Sequence, residues 1–175
     1  SLCYQMAALL QPGITIVVDP LKTLMVDQAE NMKAVGIDCV AFINSDQTAR
    51  EREEVVRNFE QGSYLMVLVS PERFQIGEFR SSLSKVTVNH LIPYLVIDEA
   101  HCVSEWGHDF RTSYLNLARN ARRYCNYKGF EPVVLALTGT ASFVVLADVQ
   151  REIGVEDEEA KIQPTTFDRK ELKFK

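Results

Sequence analysis

Five short apolar runs, separated by stretches of helical period, set the main limit on what this chain can fold into. They are residues 14–18, 39–42, 64–69, 94–97 and 133–137, and most are continuous in Val, Ile, Leu and Met rather than alternating with polar residues. Continuous runs of this length suit strands covered on both faces. Helical patterns are predicted between them: Leu2 to Leu10, Pro20 to about Ala34 with Gly36 at the C′ position, a polar helix from a cap at Ser45 or Asp46 to about Gln61, Glu78 to about Ser84, Tyr114 to Tyr124, and Ser142 to Ile153. Proline near a helix start, glycine past its end and a short polar residue at the cap are the signals used. Strands alternating with helices indicate βαβ units and an α/β fold with a mostly parallel sheet. A length of 175 residues is enough for one domain with its own core. There is no internal repeat or low-complexity linker, and Glu156 to Glu159 reads as a solvated acidic loop.

Charge and cysteine content narrow the function. Nineteen basic residues stand against 24 acidic ones, for a net charge of −5, which argues against a protein that coats nucleic acid by charge alone. Local phosphate contacts remain open. Cys3, Cys39, Cys102 and Cys125 are scattered without a Cys-x-x-Cys pair, as expected of reduced thiols rather than a disulfide frame or a zinc site. No apolar stretch is long enough to span a membrane, so no membrane partner is expected.

Chemistry concentrates in the run from Leu95 to Arg111. Leu95-Val96-Ile97 delivers Asp98 and Glu99 to a strand end, the place where open α/β sheets bind ligands. One carboxylate can hold Mg²⁺, largely through water because that ion sheds its hydration shell reluctantly. Its neighbour can polarise an attacking water. On the residues alone, two solvated acids after a strand remain an alternative. The polar loop that follows carries Trp106, Gly107, His108, Asp109, Phe110 and Arg111, a combination suited to stacking on bases. Trp and Phe are more often core residues, and this too stays open.

Asp98-Glu99-Ala100-His101 followed by Cys-Val-Ser-Glu-Trp-Gly-His-Asp-Phe-Arg resembles motif II and the aromatic-rich loop of RecQ-family DNA helicases of superfamily 2. The tetrapeptide is shared with many superfamily 2 proteins; the Trp106–Arg111 extension is far more specific. Residues 16–28 resemble motif Ia, residues 69–74 the next conserved block, residues 136–141 motif III, and Thr166 to Arg169 the segment leaving the first motor domain. The resemblance implies a RecA-like P-loop NTPase fold with helices on both faces of the sheet. It also implies ATP and Mg²⁺ as cofactors, single-stranded or forked DNA as partner, and a second RecA-like domain reached through residues 154–175. The implied setting is DNA repair and recombination, in the cytoplasm (bacterial nucleoid) or the nucleus.

The same resemblance assigns roles. Asp98 would organise Mg²⁺, Glu99 would activate water, and His101 would couple motif II to Thr138 and Thr140 of motif III. Trp106, Phe110 and Arg111 would sense DNA. Pro20, Lys22 and Thr23 in motif Ia, and Ser70 and Arg73 in the next block, would meet the DNA backbone, although Glu72 is a natural internal partner for Arg73. RecQ proteins usually carry Ser where Asp19 stands, so a carboxylate is expected to face phosphate there, offset by Lys22. Gly139 replaces a more usual Ala, loosening its turn. No Gly-Lys dipeptide occurs. Ser1-Leu2-Cys3-Tyr4-Gln5 matches RecQ proteins from the last residue of the phosphate loop onward, so Ser1 is expected to be the Mg²⁺-coordinating hydroxyl, with the first strand and the rest of that loop absent. A 3′–5′ DNA helicase motor, inactive as this fragment, is the function this implies. The alternatives are a non-catalytic nucleic-acid-binding or scaffolding module from a degenerate helicase and, disfavoured by the Trp106 loop, an RNA helicase.

Overall fold

A computed structural model describes residues 1–104, 111–140 and 142–162. Strands β1 (Thr15–Val18), β2 (Val40–Ile43), β3 (Met66–Val69), β4 (Tyr94–Ile97) and β5 (Val133–Ala136) form one parallel sheet in the order β2-β3-β1-β4-β5. Val18 lies level with both Val69 and Ile97, and Ile97 with Ala136, so the carboxyl ends of four strands make one edge.

Alternate strand residues face opposite ways, and both faces are covered. On one face Val17, Met66, Leu68 and Val96 pack against Tyr4 of α1 (Leu2–Leu10) and Met25 and Met32 of α2 (Lys22–Ala34). On the other, Ile16, Val18, Val67, Val69, Leu95 and Ile97 meet α3 (Ala49–Glu60), α4 (Gly77–Asn89), α5 (Leu117–Tyr124) and α6 (Phe143–Ile153). This two-sided burial is why the runs read as continuous. Each fully buried aliphatic or Phe side chain is worth about 1.5–3 kcal/mol.

Several predicted boundaries move. The third helix is capped by neither Ser45 nor Asp46 but by Thr48, whose hydroxyl accepts from Glu51 N while the Glu51 carboxylate accepts from Thr48 N, a capping box. The helix expected from Pro20 begins at Lys22, because the Asp19–Leu21 turn is held by its own side-chain bond. The helix predicted to stop near Ser84 runs on to Asn89, where burial of Val86 outweighs β-branched propensity. The Arg-rich helix starts at Leu117 rather than Tyr114, since Asn116 takes a left-handed conformation (φ 60°) after a 3-10 turn over Thr112–Tyr114. Glu158–Ala160 is a 3-10 turn, and residues 166–169 lie outside the described residues. The four cysteines are free thiols; Cys125, in the core, is pushed up to about 12 by burial. Among the described residues no helix is long and apolar enough to cross a membrane.

Candidate active site

The chain leaves β1 for the β2 edge, returns through β3, then crosses to β4 on the far side of β1. The crevice outside the carboxyl ends of β1 and β4 is therefore the switch point at which open sheets bind ligands. Backbone bonds knit three strand ends there: Asp98 N donates to Val18 O (2.9 Å), Leu137 N to Ile97 O (2.9 Å) and Ala100 N to Leu137 O (2.8 Å). Asp19, the Asp98–His101 segment and Thr138 arrive together as a result.

Glu99 sits in the left-handed region, at φ 48° and ψ 46°. For a residue with a Cβ this costs roughly 1–2 kcal/mol, the kind of local strain that gathers at functional sites. The turn leaves its carboxylate at the edge of the crevice, 36% exposed, with Oε2 3.2 Å from His101 Nδ1. The same nitrogen lies 3.1 Å from Thr138 Oγ1. A proton on Nδ1 serves both oxygens, whereas a proton on Nε2 would set two lone pairs against each other at Glu99, so the carboxylate favours the Nδ1–H form. Thr138 Oγ1 also accepts from Thr140 N (3.3 Å). Motifs II and III are thus joined through His101. Gly139 is not sterically required: a Cβ there would meet open space.

Asp98 is held from three directions. Its Oδ1 accepts from Glu99 N (3.0 Å), its Oδ2 lies 2.9 Å from the Tyr4 hydroxyl, and its carbonyl accepts from the Tyr114 hydroxyl (3.2 Å). Burial, reinforced by Asp98, pushes the Tyr4 phenol well above its ordinary value; Tyr114 is raised as well, chiefly by burial. Ser1, at the N-cap of α1, is exposed and makes no side-chain cap bond, three residues before Tyr4. Among the described residues no three His, Cys, Asp or Glu side chains cluster to hold a metal. One carboxylate, Asp98, with one hydroxyl, Ser1, is a donor set suited to Mg²⁺ that keeps most of its water and leans on phosphate oxygens.

The motif Ia turn differs from expectation at Asp19. Its side chain is fully buried and faces inward, Oδ1 accepting from Leu21 N (2.8 Å) and Oδ2 from Gln28 Nε2 (3.3 Å), so it does not confront phosphate. Burial pushes its carboxyl up to about 6; the Leu21 N–H opposes this, Asp98 and Glu99 add to it, and Arg111 opposes it. Pro20 is buried too, but its carbonyl accepts from Arg111 Nη1 (3.1 Å). Lys22 and Thr23 are exposed in the first turn of α2, with Lys22 paired to Asp46 at 2.6 Å, an exposed pair of small energetic weight. Ser70 begins the 3-10 turn Pro71–Gln75. Arg73 donates to Asn44 O (3.0 Å) rather than pairing with Glu72, and burial lowers its pKa, as does the nearby Arg52. These two residues lie at the end of β3.

Trp106 and Phe110 lie outside the described residues. The positions flanking their segment are firmly tied: Arg111 N donates to Cys102 O (3.0 Å) and Ser104 Oγ to Asp148 Oδ2 (2.7 Å). Sequence reasoning gave Tyr4 and Gln28 no role, although both fall in stretches that resemble the family. Each reads as one more position on a helix, and only the folded chain brings Tyr4 against Asp98.

A parallel α/β domain with an Asp-Glu pair at its switch point has the arrangement of a nucleotide-binding domain. Residues 1–149 match the DEAD/DEAH box helicase family. The chain is 39% identical over 175 residues to the "ATP-dependent DNA helicase RecQ" of Bacillus subtilis, covering all of this chain and 28% of that protein. It is 41% identical over 151 residues to the "ATP-dependent DNA helicase Q5" of Mus musculus, covering 85% of this chain and 15% of that one. The Hef helicase domain of Pyrococcus furiosus shares the fold, with a TM-score of 0.61 at 17% identity over 89% of this chain and 30% of that one. The chain belongs to the DEAD/DEAH box helicases, as a motor domain of the RecQ kind. It spans less than a third of the length of these relatives.

Proposed function

We propose that this chain is the first motor domain of an ATP-dependent 3′–5′ DNA helicase, coupling ATP hydrolysis to single-stranded DNA, with residues 154–175 leading to a second motor domain. The observation that carries this reading is the convergence of Asp98, Glu99, His101 and Thr138 on one crevice at the ends of β4 and β5. Names of relatives support it: the Bacillus subtilis and mouse proteins are both called ATP-dependent DNA helicases.

The roles are those the family resemblance implies, read onto the described geometry where there is one. Glu99, partly exposed and oriented by His101, accepts a proton from the attacking water. Asp98 and Ser1 would hold Mg²⁺, which when bound neutralises charge on the β- and γ-phosphates. His101, between Glu99 and Thr138, registers the state of motif III. Thr138, whose hydroxyl accepts from Thr140 N, and Thr140 would face the nucleotide. DNA phosphates meet the exposed start of α2 at Lys22 and Thr23, where free amides favour an anion. The Pro20 carbonyl, Ser70 and Arg73 support that backbone path. Trp106 and Phe110 stack on bases, and Arg111 carries their occupancy to the Asp19–Leu21 turn.

The test uses a polypeptide that joins this domain to a complete phosphate loop and a second motor domain. Glu99→Gln is expected to abolish turnover while nucleotide binding stays within a few-fold, because an amide keeps the shape but cannot take the proton. Near-normal hydrolysis in that variant would remove Glu99 from the reaction. The 175-residue chain by itself is expected to turn over no ATP, since a trans arginine alone contributes roughly 10³–10⁵ in rate in related phosphoryl transfers.

A further inference from the structure

One side chain to which the motif reading gives no role grips the carboxylate assigned to Mg²⁺. Tyr4 is 1% exposed, and its hydroxyl sits 2.9 Å from Asp98 Oδ2 and 2.6 Å from Gln28 Oε1. Gln28 Nε2 lies 3.3 Å from Asp19 Oδ2, and Asp19 Oδ1 takes the Leu21 N–H at 2.8 Å. A continuous chain of polar groups, buried at Tyr4 and Asp19 and half-buried at Gln28 and Asp98, therefore runs from the motif Ia turn to Asp98, across α2 and α1.

Proton counting gives this chain a direction. A phenol has one proton, and here it faces two acceptors, since an ionised carboxylate can only accept. With Asp98 ionised, a Tyr4 proton spent on Gln28 would leave two oxygens opposed at 2.9 Å. Turning the Gln28 amide over resolves this: Nε2 then donates to Tyr4, and Tyr4 donates to Asp98. The turned amide gives up the long contact from Gln5 Nε2 (3.4 Å) and its own donation to Asp19 Oδ2, and its oxygen is met by a donor only where Asp19 is protonated. Amide orientation is settled by such networks rather than by shape.

We propose that Tyr4 is a positioning residue for Asp98, and that Gln28 and Asp19 extend its hold to the turn on which DNA phosphate docks. The proposal rests on the Mg²⁺ role given to Asp98 above. Groups that orient a metal-binding side chain typically contribute 10–100-fold to metal affinity. An Asp that binds largely through water belongs at the lower end, so a loss of roughly 10-fold is expected when the phenol is removed.

Tyr4→Phe deletes the hydroxyl and keeps the buried ring. In the polypeptide carrying the phosphate loop and second motor domain, Mn²⁺ binding in the presence of AMP-PNP is read by electron paramagnetic resonance, with the melting temperature beside it. The expected result is a Mn²⁺ affinity weakened about 10-fold, with AMP-PNP affinity at saturating Mn²⁺ unchanged. Gln28→Met, which leaves the phenol but removes its amide partner, is expected to shift Mn²⁺ affinity the same way by less. It decides the question should Tyr4→Phe fail to fold. Unchanged Mn²⁺ affinity in the folded variant, or a lower melting temperature with no change in affinity, overturns the proposal. Asp98→Ala separates the two ideas: if it weakens Mn²⁺ binding and Tyr4→Phe does not, only the positioning role falls. If Asp98→Ala has no effect, the Mg²⁺ assignment itself falls.

Discussion

At the scale of single residues, the crevice stores unfavourable local states that the rest of the fold sustains. Glu99 holds a left-handed backbone, and Asp19 is a carboxylate with no exposed surface. The second has a pH signature. Asp19 titrates near 6 in the folded chain against 3.8 when unperturbed. Between those values the folded state binds the proton more tightly than the unfolded state. The contribution is therefore fully present below about pH 4 and is lost as pH rises through about 6. Two units correspond to on the order of 3 kcal/mol. Asp19→Asn cannot titrate, so the unfolding free energy of wild type minus that of the variant is expected to fall by that order between pH 4 and pH 7, in parallel denaturant titrations of the 175-residue chain. A difference constant across that range would show an ordinary carboxyl at this position. The Asp98-Glu99 pair was legible in the sequence because an apolar run ended on it, and His101 because it followed. Asp19 was legible as a strand-end acid but not as a buried one, since its partner Gln28 is a turn and a half further along a helix whose inward face had to be known first.

At the scale of elements, strand centres and helix existence came through from apolar runs, while boundaries depended on side-chain bonds that composition alone does not rank. The third helix shows why. Ser45, Asp46 and Thr48 are all plausible caps, and all three precede the helical pattern. Only Thr48 has Glu three residues later, and that reciprocal pair sets the start. Asp46 instead meets Lys22, and Ser45 is exposed. Thr48→Ala is expected to destabilise the domain by about 1 kcal/mol, a fall in melting temperature of about 2–4 °C for a chain of this size. Ser45→Ala is expected to stay within about 0.5 kcal/mol of wild type, as surface changes usually do. Equal effects from the two would show that the capping box does not define this end. The longer α4 and the shortened α5 make the same point from tertiary contact: Val86 is buried and extends one helix, while Asn116 turns left-handed and cuts the other short.

At the scale of the whole molecule, the site exists only where distant segments meet. Tyr4 and Asp98 are 94 residues apart, Arg111 and Pro20 are 91 apart, and His101 and Thr138 are 37 apart. Parallel strands with level carboxyl ends bring them to one edge. Arg111 is the member that links the flank of the Trp106 segment to the motif Ia turn, since its guanidinium donates to Pro20 O. If that link carries DNA occupancy toward Asp98 and Glu99, cutting it should affect stimulation and spare the chemistry. In a polypeptide with the phosphate loop and second motor domain, Arg111→Ala is expected to lower DNA-stimulated ATPase roughly tenfold, the worth of one hydrogen bond from a charged donor. Basal ATPase should change by no more than roughly twofold, because every bond described at Asp98, Glu99, His101 and Thr138 is left in place. Arg111→Lys should restore little, as an ammonium lacks the planar fork and reach of a guanidinium. Trp106→Ala should act in the same direction, and the double variant should be less than additive if both serve one sensor. A purely structural Arg111 behaves differently: the melting temperature falls, and basal and stimulated rates drop by the same factor. Rates with and without single-stranded DNA, measured beside melting temperature, separate these outcomes, and an unchanged stimulation ratio in Arg111→Ala would exclude the link.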